Sequence, residues 1–143
     1  MALNAYLHLT LGGTAVLGGV TQKGREGTIE VNSFEWSFDS DGNVGEVKFT
    51  ADVEKSTVPI SQGLKSSAVA DALFDFWLPS NTGVETKFYT VHGTNGKVTS
   101  ASLWMLNNLD VSLLKYPVTM QYTMSFPAIE QTWTADGSAV TIP

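Results

Sequence analysis

The residues of this 143-residue chain best suited to acid–base or metal chemistry are two histidines and fourteen carboxylates. His8 sits in an alternating segment and His92 beside a Gly-Thr-Asn-Gly turn signal, and no third ligand stands at metal-type spacing from either. Both read as solvated or hydrogen-bonded strand histidines. A serine triad would need geometry that no Gly-x-Ser-x-Gly elbow provides. Paired acids such as Asp71 with Asp75, or Asp39 with Asp41, would suit glycoside hydrolysis only if they flanked a cleft, and acids alternating along a strand are ordinarily its solvated face. Asp39, Asp41 and Asn43 fall at alternate positions, as in a calcium loop. Gly42 comes too early, though, and the distal glutamate is missing, so a tight turn is the better reading. The glycine pairs 12–13 and 18–19 lack the partners of a phosphate-binding loop. Trp36, Trp77, Trp104 and Trp133 are dispersed among apolar residues, which favours packing over a sugar-stacking platform. The expectation is no catalytic residue, no cofactor and no metal.

A chain this long buries a substantial core without cross-links, and with no cysteine it has none. Its net charge of −6, without any lysine or arginine cluster, argues against nucleic acid and against an anionic membrane surface. No window is long and apolar enough for a membrane-spanning helix, and the first residues lack the basic and apolar regions of a signal peptide. The protein is therefore expected to be made and folded in a cytoplasm. Thirteen glycines and many Thr, Ser and Val residues point to an all-β chain with one short helix.

The strands that would hold these side chains can be read from alternation. Residues 5–10 form the first. A long Gly-rich connection, residues 11–24, follows and encloses the apolar island Ala15-Val16-Leu17, whose side chains something must cover, either this subunit or another. Residues 25–39 then read as a long strand whose apolar phase changes at Asn32-Ser33: Ile29 and Val31 belong to one register, Phe34, Trp36 and Phe38 to the other. A β-bulge there would let the strand serve two surfaces, and the alternative is a strand buried on both faces along part of its length. Residues 45–53 are its hairpin partner. Ser56, Thr57 and Pro59 signal a short helix over residues 59–65, ended by Ser66-Ser67. Residues 70–78 read as a central strand. Residues 84–91 and 98–109 read as antiparallel neighbours joined at Asn95-Gly96. Leu113-Leu114 is a second apolar island. Residues 118–126 and 129–134 complete eight strands, and residues 135–143 form a small polar tail. The whole reads as one domain over residues 1–143, an antiparallel β-barrel closed or nearly closed, with a two-sheet sandwich as second choice.

With these segments in place, the chain resembles the Hcp family (haemolysin-coregulated proteins), which build the inner tube of bacterial type VI secretion systems and share a fold with the tubes of phage tails and of related contractile injection systems, so a subunit of either kind of machine is implied. The likeness is carried by Ala5-Tyr6-Leu7-His8-Leu9-Thr10, then Ile29-Glu30-Val31-Asn32-Ser33-Phe34-Glu35-Trp36-Ser37, then Asp52-Val53-Glu54-Lys55-Ser56-Thr57 before the helix, and finally Ile129-Glu130-Gln131-Thr132-Trp133. The resemblance implies a structural, non-enzymatic subunit that forms homohexameric rings stacked into a tube. The partners it implies are a contractile sheath, spike and baseplate proteins and secreted effectors, and it implies export without a cleaved signal peptide. It also implies that the long loop contacts neighbouring subunits, which agrees with the uncovered island and names Val16, Leu17, Gly18, Gly19, Gln22 and Lys23 as the expected contact. A monomeric barrel binding a glycan or lipid through exposed aromatics is the alternative.

Overall fold

The computed structural model describes residues 4–79, 83–105, 109–110 and 118–142. Ten strands and one helix follow in order among these residues: β1 (Asn4–Leu11), β2 (Thr14–Val16), β3 (Ile29–Val31), β4 (Ser33–Glu35), β5 (Val47–Asp52), α1 (Thr57–Ser66), β6 (Ala70–Pro79), β7 (Glu85–Trp104), β8 (Thr119–Ser125), β9 (Ala128–Trp133) and β10 (Ser138–Ile142). All pairings are antiparallel. The main path runs β2-β1-β6-β7-β8-β5-β4, with β9 and β10 added beside β7 and with β3 beside β1.

The phase break at residue 32 is where the chain changes sheet. Ile29 and Val31 pair with Leu7 and Ala5 of β1, whereas Ser33, Phe34 and Glu35 pair with Thr50, Phe49 and Lys48 of β5. Asn32 makes the crossing, its N–H donating to the Thr50 carbonyl at 2.8 Å. The sheet is not closed into a barrel by an unbroken ladder; this short segment links its two edges instead. Phe34 reaches into the interior and meets Phe74 and Phe76 edge-on at 4.9 and 5.2 Å, while Phe49 bridges Phe74 and Tyr122. The strand ends earlier than alternation suggests: Phe38 is half-exposed, pairs singly with Val44 and stacks on Trp36. The hairpin at Asp39–Asn43 is present.

The two strands expected over residues 84–91 and 98–109 are not separate: β7 runs unbroken from Glu85 through Asn95-Gly96 to Trp104, and Asn95 takes φ +56°. Asparagine tolerates the left-handed region, and here that conformation makes a bend rather than a reversal. Before the bend β7 lies between β6 and β9; after it, β7 pairs with β8. Phe126 packs into the bend, where a Cβ on Gly93 or Gly96 would lie 2.6 or 2.3 Å from its ring.

Two further corrections concern segments read as irregular. The loop at 11–24 contains β2, which turns back along β1 and sets Val16 opposite Leu9. The tail contains β10, a hairpin partner of β9. The helix begins two residues before Pro59 and ends in a left-handed Ser67, with the Ala68 N–H donating to the Gly63 carbonyl. Its Ile60 is fully buried in the core. The expected island at Leu113-Leu114 lies outside the described residues.

Candidate assembly surface

Beyond β2, the tip of the long loop is fastened to the outer face of β1 and β6 through a cluster built on Arg25. Arg25 is only 6 % exposed. Its guanidinium lies over the rings of Tyr6 and Trp77, 5.0 and 4.4 Å from their centroids, and its Nη1 donates to the Glu85 carboxylate. Its carbonyl accepts from the backbone N–H and the hydroxyl of Thr28, and its own N–H donates to Gln22. Tyr6 in turn donates its hydroxyl to the Gln22 side chain at 3.3 Å. Burial raises the Tyr6 pKa above the usual phenolic value, partly opposed by the adjacent guanidinium, so Tyr6 stays a neutral donor at physiological pH. Backbone bonds from Gly18 to Gly27 and between Val20 and both Gly27 and Thr28 hold the two limbs of the loop together. Gly18 is confined by the opposite limb, for its Cβ would lie 2.2 Å from the Thr28 carbonyl oxygen.

This geometry divides the six residues expected at a subunit contact. Val16 is buried in the chain's own core, so it needs no second copy to cover it. Leu17, by contrast, is 60 % exposed. Gly19, Gln22 and Lys23 lie at the surface and Gly18 is shielded by Thr28. Arg25 was legible only as the start of a strand. Its partner Glu85 lies 60 residues away, and no local pattern announces such a pairing.

A groove of about 530 Å³ runs beside the loop between the β1–β2 turn and α1, lined by Leu11, Val16, Leu17, Pro59, Gly63 and Ala68 among others. Val58, in the first turn of this helix, and Val69, just past its end, are exposed, as are Leu103, Trp104 and Met105 at the end of β7. Leu103, Trp104 and Met105 are consecutive, and adjoining exposed apolar residues, unlike scattered single ones, mark an association surface.

The candidate chemical groups resolve into structural pairs. His8 and His92 bind Asp75 and Asp71 across neighbouring strands, Nε2 to carboxylate oxygen at 2.9 and 2.8 Å. The hydrogen bonds of both rings, among the described residues, go to these aspartates and to no serine. Asp39 uses both carboxylate oxygens to hold its own turn, accepting from the N–H groups of Asp41 and Asn43 and from the Asn43 amide. The Asn43 side-chain bond and then its backbone bond hold the Asp39 carboxyl below the usual range. Among the described residues no group of three or more His, Asp or Glu side chains is placed to hold a metal ion, and no helix is long and apolar enough to cross a membrane. The tryptophans do not converge on one platform: Trp36 meets Phe38, Trp77 meets Arg25, Trp133 meets Phe88, and Trp104 stands exposed at the end of β7.

Comparison with known proteins assigns the fold and the family. The secreted protein Hcp3 of Pseudomonas aeruginosa is 15 % identical and superposes with a TM-score of 0.83, covering 98 % of this chain and 97 % of its own. A doubly substituted Hcp1 of E. coli EAEC 042 gives 20 % identity, a TM-score of 0.83 and the same coverage. Hcp1 of Salmonella typhimurium gives 17 % and 0.78, covering 99 % of this chain and 92 % of its own. No curated protein matches by sequence. The family model described as "Type VI secretion system effector, Hcp" matches residues 6–133. The chain belongs to that family: it is a secreted, non-enzymatic structural subunit of the type VI secretion tube.

Proposed function

We propose that this subunit assembles into homohexameric rings that stack into a hollow tube, and that the tube is expelled by a contracting sheath, meets spike and baseplate proteins, and carries effectors out of the cell. In this reading it is made in the cytoplasm and leaves without a cleaved signal peptide. The observation that carries it is the set of large apolar side chains left in water by the single chain, Leu17, Val58, Val69, Leu103 and Trp104. They lie at separate places, so the contact between two copies would be heterologous, one patch on one copy against a different patch on the next. Such contacts close into rings or continue as filaments.

The loop supplies one side of that contact in this account, through Leu17, Gly19, Gln22 and Lys23. Val16 and Gly18 drop out, the first because its side chain belongs to the core and the second because it is buried against Thr28. Negative-stain imaging of the purified protein tests the reading. Six-membered annular particles, seen singly or stacked, are expected, and a field of dispersed small particles at high concentration contradicts it.

A further inference from the structure

We infer that Arg25 is a positioning residue, a latch that sets the long loop in the conformation needed for contact between copies. The inference rests on the assembly reading above and adds to it the residue that controls the contact. Three features separate this side chain from an ordinary surface ion pair. It is buried, it lies over two aromatic rings at once, and its charge is met by Glu85, a carboxylate at the start of β7. A buried guanidinium stacked on aromatics is held far more firmly than an exposed one, because its alternative partner, water, is excluded.

The base of the loop is tied to the sheet by β2 on β1 and by the buried Val16, and the returning limb enters β3, also on β1. The tip between them, residues 17–28, has backbone bonds chiefly from one limb to the other. Contact with the outer sheet face comes through the cluster of Arg25, Tyr6, Trp77, Glu85 and Gln22. Asn4 supports the same carboxylate, donating from Nδ2 to Glu85 Oε1 at 3.4 Å. Removing Glu85 leaves a cation buried without its anion, which disfavours the closed loop strongly. Removing the charge of Arg25 uncovers the buried Tyr6 ring and takes away no member of the apolar core cluster. A loop ordered before association loses less entropy when a second copy docks, so the latch acts on affinity while touching no partner.

The test compares wild type with Arg25→Met and Glu85→Ala by two readouts. The first is cleavage after Lys23 by a lysine-specific protease under native conditions, which reports local opening of the loop separately from global unfolding. The second is the concentration at which rings form. The latch predicts cleavage accelerated about tenfold or more in both variants, with a thermal midpoint close to wild type, and ring formation shifted about tenfold to higher concentration. Arg25→Lys, which keeps the charge but not the guanidinium that reaches both rings, should fall between. Unchanged cleavage overturns the latch whatever the rings do. Faster cleavage with unchanged ring formation overturns its role in assembly. Global unfolding of both variants also overturns it, because a latch is local. A wild-type chain that never forms rings sinks the tube reading and the positioning role with it, and cleavage alone then decides whether the loop is latched.

Discussion

At the scale of single residues, Val16 and Leu17 show how burial separates neighbours that look alike in sequence. Both are aliphatic and both sit in the same glycine-rich stretch, yet strand β2 turns Val16 inward against Leu9 and leaves Leu17 in water. Substituting aspartate therefore has opposite consequences. Val16→Asp places a charge in the core and should cost about 3 kcal/mol or more of stability, seen as a lowered denaturant midpoint. Leu17→Asp should leave the midpoint within about 0.5 kcal/mol of wild type while weakening ring formation. A Leu17→Asp protein that assembles as well as the parent would remove the loop from the contact. The histidines make the same point about context: each has an aspartate partner on an adjacent strand, and the pairing gives it a place on the sheet surface rather than a reaction to run.

At the scale of elements, β7 is the organising feature that alternation misdivided. Asn95-Gly96 between two alternating runs is a strong hairpin signal, and the local conformation it favours is indeed adopted at Asn95. What the local signal could not specify is that β8 and β9 lie along the same strand across the bend, with Phe126 filling the angle against Gly93 and Gly96. Replacing Gly96 by valine forces a side chain against both the Phe126 ring and the Ser125 carbonyl and should destabilise the fold by about 1–3 kcal/mol, measurable by chemical denaturation. A neutral effect would mean that the bend has slack. Elsewhere alternation was a good guide because one face of each strand is buried: β1, β5 and β8 fall close to their expected bounds, and so does α1, with its Ser66-Ser67 stop. The break at Asn32 was legible because it reverses which side chains point inward. Strand β2 was hidden by its glycine-rich surroundings, β10 by its exposed and small residues, and the Arg25 cluster by sequence distance.

At the scale of the whole molecule, the surface explains what the core does not. The apolar core is filled by one chain, with Phe34, Phe49, Phe74 and Tyr122 in ring contact and Ile60 of the helix buried in the same core. The exterior is not, since apolar side chains remain exposed along the loop, beside the helix and at the end of β7. A second copy, rather than a small ligand, suits patches spread over different parts of the surface, and membership of the Hcp family agrees with that physical need. Native mass spectrometry of the purified wild-type protein tests the claim most directly. The account predicts a dominant species at six times the 15.4 kDa protomer mass, with multiples of it as concentration rises. A strictly monomeric mass across the whole concentration range would contradict it.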